Sequence, residues 1–165
     1  SNQKERCIEI IGQFKGKNAE QMNFLGLVET YLENYKEAVS YFNNAIKQNR
    51  SNPEYYYNLA NVYFKQGELV LAKRNYNLAI SICPENQNYH FALANLYYSE
   101  KHYKKALEEL EGDFFEARFL KAIILYETGY LALAKKELSE LALEYPNRQM
   151  VNEYMTRINS ELGLN

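Results

Sequence analysis

Apolar and polar positions along this chain recur at helical spacing, and the clearest stretch runs from Pro53 to Pro84, PEYYYNLANVYFKQGELVLAKRNYNLAISICP. Leu59, Ala60 and Tyr63 mark one face of a first helix, and Ala72, Tyr76 and Ala79 mark one face of a second. Gly67 sits where the chain turns between them, and Pro84 closes the unit. The pattern predicts a helix pair in contact through small residues. Asn52 stands before Pro53 as a cap, and Pro53 takes the first helical position, where a missing N–H costs nothing.

The same reading extends along the chain. Cys7, Ile8, Ile11 and Phe14 fall on one face of a helix expected over about 4–14, followed by a turn at Lys15–Lys17. Further helices are expected over 19–32, 35–49, 53–66, 69–82, 87–100, 103–111, 114–128, 131–144 and 147–162. Asn18 with Gln21, and Asp113 with Glu116, read as capping boxes; Asn86 reads as a cap for the helix from 87. Gly112 reads as a left-handed helix stop. The last helix carries Val151, Met155, Ile158 and Leu162 on one face. Asn147, Arg148, Asn152, Glu153, Thr156, Arg157 and Asn159 lie on the others, as an end helix needs if it covers a last apolar face.

A repeat underlies these helices. Leu25-Gly26, Leu59-Ala60 and Leu93-Ala94 are successive at 34-residue steps, and so are Ala38, Ala72 and Ala106. Large apolar residues follow at Phe42, Tyr76 and Leu110, and a second alanine at Ala45 and Ala79. This resembles the tetratricopeptide repeat (TPR) family, whose 34-residue helix-turn-helix unit has this pattern of small, aromatic and proline positions. The resemblance covers nearly the whole chain. It implies an all-α, right-handed α-solenoid of stacked antiparallel helix pairs with a concave groove, and it implies no single function.

On that reading residues 1–165 form one solenoid domain. Residues 1–17 hold an N-terminal helix, either the second half of an earlier repeat or a cap. Repeats follow over 18–52, 53–86, 87–112 and 113–146, with a capping helix over 147–165. The first repeat departs from the family pattern: Glu29 replaces the usual aromatic and Glu33-Asn34 the glycine turn, with Tyr31 and Tyr35 as compensation. The third is cut short. Gly129 and Ala134 lie 62 residues beyond Gly67 and Ala72, six fewer than two full repeats, so the stack is expected to change angle near 114.

A second stripe lies on the other face of the first helices. Tyr57, Asn61 and Phe64 occur at i, i+4 and i+7; Phe91, Asn95 and Tyr98 repeat the spacing, then Phe119, Ile123 and Tyr126, while the first repeat offers Asn23, Leu27 and Thr30. In a TPR-like stack this stripe lines the concave groove, which makes Tyr57, Asn61, Phe64, Phe91, Asn95, Tyr98, Phe119 and Tyr126 the candidate peptide-binding residues. Tyrosine and asparagine at these places are also close to the family's average sequence, and a ring there also suits packing against the neighbouring repeat.

Composition narrows the function. A chain of 165 residues is one ordinary domain, able to bury roughly 70% of its unfolded surface. A net charge of -2 offers no basic field for nucleic acid or anionic membrane. There are 16 tyrosines and no tryptophan. No apolar run of about 18 residues exists to insert in a membrane, and no leader is evident. In the repeat, Cys7 and Cys83 lie two units apart, too far for a disulfide, and two free thiols lean toward a reducing, cytoplasmic compartment. The abundance of Asn, Lys, Ile and Tyr suggests an AT-rich, bacterial genome. His90 and His102 are the only histidines, and no metal-ligand spacing or glycine-rich phosphate loop occurs, so no catalytic residue, metal or cofactor is expected. Runs such as Glu108, Glu109 and Glu111 read as a solvated helix face.

Some family members hold the C-terminal carboxylates of heat-shock chaperones in a clamp of lysine, arginine and asparagine. The matching places here are Asn23, Leu27, Asn58, Asn88 and Ala92, or one repeat on, Tyr57, Asn61, Ala92, Glu116 and Leu120; neither set has a cation, so no such clamp is expected. The function expected is non-catalytic binding of a partner protein's peptide or helix. The alternatives are an assembly module of a larger protein or oligomer, self-associating through its terminal helices, and the targeting domain of a multidomain enzyme. The Ser-Asn start and the half-repeat reading of the first helix favour the assembly module.

Overall fold

The computed structural model describes residues 18–163 together with 5, 6, 9 and 12. The expected helix over 4–14, with Cys7, Ile8, Ile11 and Phe14, and the turn at 15–17 lie outside the described residues except at those four positions. Among the described residues the structure is all-α. The elements are α1 (Ala19–Tyr31), α2 (Tyr35–Gln48), α3 (Pro53–Lys65), α4 (Leu69–Ile82), α5 (Gln87–Ser99), α6 (Tyr103–Glu109), α7 (Phe115–Glu127), α8 (Leu131–Glu144) and α9 (Gln149–Glu161). The chain divides into two compact units at Tyr89/His90, within α5.

The turns explain why the helices pair. Glu33, Gly67, Lys101 and Gly129 occupy corresponding places after α1, α3, α5 and α7, and all four have positive φ, at 65°, 78°, 58° and 83°. At each, the next residue's N–H reaches the carbonyl five residues back: Asn34 to Glu29, Glu68 to Tyr63, His102 to Tyr97 and Tyr130 to Leu125, at 2.8–2.9 Å. This is the Schellman closure of a helix end. The glycine missing from the first and third turns is therefore not a change of path. Glu33 and Lys101 adopt the left-handed backbone that glycine supplies at the other two.

In the N-terminal unit, Ala38, Phe42, Leu59 and Val62 form a buried cluster, with Tyr35, Val39, Ile46 and Tyr63 packed against it. The alanines of the repeat are closed to solvent at Ala38, Ala45, Ala60, Ala72 and Ala79. Gly26 is tighter still: a Cβ there would lie 2.6 Å from the Phe42 ring. Asn18 accepts the Gln21 N–H at 2.8 Å, Asn52 that of Glu54 at 2.9 Å, and Asn86 that of Asn88 at 3.0 Å, so these three caps form as expected. Glu29 is buried in place of an aromatic residue, and Asn34 Nδ2 donates to its carboxylate at 2.8 Å.

In the C-terminal unit, Ala94, Ala106, Leu120 and Ile124 form one buried cluster, and Phe115, Ala122, Leu125, Ala134, Leu138, Leu141, Val151 and Ile158 another. Two expectations change here. Helix α6 stops at Glu109 with Leu110 as its cap, so Gly112, three residues further on, is not the stop. Helix α7 begins at Phe115 with Phe114 as N-cap, so Asp113 makes no capping bond. The Phe114 ring instead packs edge-on against Phe91, centroids 5.3 Å apart, and Asp113 faces Arg118 at 3.7 Å. In α9, Val151 and Ile158 are buried as expected, but Leu162 is the cap beyond the helix and is exposed. Asn159 is not on an open face: its Oδ1 is buried, with no hydrogen-bond partner among the described residues.

Candidate binding surface

In the N-terminal unit, α3 carries Tyr57, Asn61 and Phe64, each half-buried. The Tyr57 ring lies 5.0 Å from that of Tyr89 and 6.1 Å from that of Tyr76, tilted to both. Tyr76 is buried, and its hydroxyl donates to Asn61 Oδ1 at 2.7 Å. Burial first, and the neighbouring Tyr57 second, push the Tyr76 hydroxyl well above the usual phenolic range. Asn61 is thus held by α4 through its oxygen, and its amide N–H groups take no part in that bond.

The first-repeat end of the stripe is different. Asn23 is buried, accepts from Asn58 Nδ2 at 2.9 Å and directs its own Nδ2 to Glu54 at 3.4 Å. Two of the places compared with the chaperone clamp therefore hold α1 against α3. Leu27 is exposed, and Thr30 is turned back to the Gly26 carbonyl at 2.7 Å.

In the C-terminal unit, Phe91, Asn95 and Tyr98 on α5 are again half-buried, as are Phe119 and Tyr126 on α7. Asn95 Nδ2 donates to the Phe91 carbonyl at 3.0 Å, so one of its two N–H donors is used within the helix, and its other N–H and its oxygen stay available. Tyr98 donates to Glu127 at 2.8 Å. Phe119 stacks on Phe115, centroids 5.6 Å apart and nearly parallel, and meets the Tyr154 ring edge-on at 5.7 Å. Tyr126 meets the same Tyr154 at 5.7 Å and donates its hydroxyl to Glu161. The α7 rings thus seat the end helix α9 as well as facing outward. Tyr103, Glu127 and Tyr154 escaped the sequence reading. Tyr154 was legible as the residue three after Val151, on the edge of the apolar face.

Charge in this unit gathers between α7 and α8. Arg118 is largely buried and binds Glu144 through two bonds of 2.8 and 2.9 Å, with Glu140 at 3.2 Å and Glu137 at 3.9 Å; Glu137 also takes Lys121 at 2.7 Å. The bond to Glu144 holds the guanidinium pKa above its ordinary value. The network pins α7 to α8 and leaves Arg118 no capacity to act as a base. Among the described residues no group of three or more His, Cys, Asp or Glu is placed to hold a metal ion, and no helix is long and apolar enough to cross a membrane.

Comparison with known proteins finds repeat patterns in part of the chain and similar folds among solved structures. The TPR repeat pattern matches residues 26–67, and the tetratricopeptide repeat pattern matches residues 53–86. The comparison with curated proteins returns no match. Among solved structures, a tetratricopeptide repeat protein from Parabacteroides merdae is similar over 88% of this chain and 59% of its own, with a TM-score of 0.76 at 20% identity. YrrB, described as a TPR protein with an unusual peptide-binding site, is similar over 96% of this chain and 84% of its own, with a TM-score of 0.73 at 18% identity. PilF of Pseudomonas aeruginosa is similar over 87% of this chain and 68% of its own, with a TM-score of 0.70 at 19% identity. The chain thus spans less than two thirds of the first of these relatives, and at these identities the likeness is one of fold: an all-α helical-repeat solenoid.

Proposed function

We propose that this chain, which carries tetratricopeptide repeats matched over residues 26–67 and 53–86 and a fold that generally serves as a protein-interaction scaffold, binds, without catalysis, a peptide or helix of a partner protein on the ring-and-asparagine faces of its first helices. Docking uses Tyr57, Asn61 and Phe64 in the N-terminal unit and Phe91, Asn95, Tyr98, Phe119 and Tyr126 in the C-terminal unit. The observation that carries this reading is that all eight residues are half-buried. Most of the rings are held on one side by named neighbours, among them Tyr89, Phe114 and Tyr154, while part of each still meets solvent. Rings already fixed in this way offer apolar area at little further entropic loss. Asn61 keeps its amide donors, and Asn95 keeps one donor and its acceptor, which suits a peptide backbone whatever its side chains. The peptide-binding site named for YrrB supports the same class of ligand here.

The test is a random-peptide display selection on the purified chain, counter-selected against the Tyr57→Ala/Asn95→Ala variant. A recovered motif that depends on those residues is the expected result. The Tyr57→Ala/Tyr98→Ala variant should bind such a peptide at least about tenfold more weakly, the ratio for roughly 1.4 kcal/mol spread over two rings, with helix content unchanged. Binders indifferent to these changes would move the site elsewhere. Chaperone C-terminal tails should not bind; micromolar binding abolished by Asn58→Ala would overturn that.

A further inference from the structure

The end of α5 turns at Lys101, in the left-handed region, and enters α6 at Tyr103. This turn brings the Tyr103 ring back toward Tyr98, centroids 6.0 Å apart and inclined at 47°. Glu127, the last residue of α7, accepts the Tyr98 hydroxyl at 2.8 Å, and Tyr103 lines one cleft with both. These three residues, with Ser99 and Lys101, line an open cleft of about 510 Å³. We infer that this cleft takes a lysine or arginine side chain, so that the partner segment bound by the C-terminal unit is basic. The inference rests on the docking function proposed above and names the chemistry of the ligand.

The chemistry follows from the acceptor count and the charge. A carboxylate has about four acceptor positions, and the Tyr98 hydroxyl uses one of them. Both tyrosines are neutral, so neither cancels the charge. Burial and then Glu127 raise the Tyr98 pKa, and the neighbouring Glu127 raises that of Tyr103, so both stay protonated at neutral pH. Among the described residues no lysine or arginine pairs with Glu127. An accessible carboxylate beside two tyrosine rings favours a cation, by charge and by the ring faces, and a guanidinium can use two of the remaining positions together. The same unit already shows the ring half of this chemistry: Arg157 lies over Tyr154 at 5.2 Å and Arg148 over Phe115 at 4.6 Å.

The experiment is a binding titration of the intact chain with four fluorescent Gly-Ser nonapeptides carrying three arginines, three lysines, three glutamates or no charge. The arginine and lysine peptides should bind; the other two should not. Glu127→Gln keeps an acceptor for Tyr98 and removes the charge, and it should weaken the arginine peptide about five- to tenfold. Glu140→Gln removes an equal charge from the Arg118 network and should leave the affinity unchanged. If Glu127→Gln loses helix content, Tyr103→Leu reads the ring wall alone and should weaken binding about threefold. Unchanged affinity in the Glu127 and Tyr103 variants, equal loss in Glu140→Gln, or no binding by either cationic peptide would overturn the inference. Selected peptides that depend on the stripe but carry no excess of lysine or arginine would sink the basic partner while leaving the docking function standing. A selection that recovers nothing would sink both.

Discussion

At the scale of single residues, the repeat is held by a few exacting positions. A Cβ on Gly26 would meet the Phe42 ring at 2.6–2.8 Å, and that ring is itself fully buried. Gly26→Ala should therefore destabilise by roughly 1–3 kcal/mol, as overpacking does, and a denaturant titration would measure it. Glu33 and Lys101 sit at φ 65° and 58°, where an L-residue other than glycine is disfavoured. Glu33→Gly or Lys101→Gly should stabilise by about 0.5 kcal/mol, because the relief of left-handed strain exceeds the added chain entropy of glycine. Gly67→Ala or Gly129→Ala should have the opposite sign. Tyr76 sets a pH limit. Its folded pKa is raised above the unfolded value near 10, so its contribution to stability is complete below pH 10 and declines as pH rises toward the folded value. Tyr76→Phe should flatten the loss of stability above that pH, read as unfolding midpoints alongside tyrosinate absorbance.

At the scale of elements, the sequence was most legible where a physical constraint repeats. Helix ends came out within two residues, because Asn18, Asn52 and Asn86 bind the first-turn N–H groups their spacing predicts. The core alanines were legible for the same reason: only small residues fit where two helices touch. Between α6 and α7 the reading failed, because side-chain competition decides the outcome there. Asp113 is drawn to Arg118, and Phe114 is held by Phe91, so the helix begins one residue later. The candidate stripe was legible as a face but not in its bonding. Asn23 looks like Asn61 and Asn95 in the sequence, yet it is buried with Asn58 and joins α1 to α3. Asn58→Ala should cost about 1–2 kcal/mol by leaving the Asn23 oxygen without its buried donor, and Asn23→Ala/Asn58→Ala should cost less than the sum of the two single changes. A double-mutant cycle by chemical denaturation would show this.

At the scale of the molecule, two units carry the same helix-pair plan with different surface chemistry. The stripe in the N-terminal unit is uncharged on α3, with Tyr57, Asn61 and Phe64. In the C-terminal unit the stripe tyrosines end on carboxylates, Tyr98 on Glu127 and Tyr126 on Glu161. Binding of a basic segment to the C-terminal unit should weaken with added salt, because exposed charges more than about 8–10 Å apart are screened near physiological ionic strength. A segment bound through Tyr57 and Asn61 alone should be far less sensitive, and titrations at two salt concentrations would tell the two apart. The four hairpin turns carry a separate implication. Each makes the same five-back bond after a left-handed residue, although glutamate, glycine, lysine and glycine fill that place in turn. The joint keeps the same backbone geometry whichever of these residues fills it, with a small cost in stability where it is not glycine. Such a joint is an interchangeable part: residues 32–34 and 66–68 could be transplanted into one another's hairpins with the register of both helices intact, and a chain lengthened by whole repeats would need no new connector.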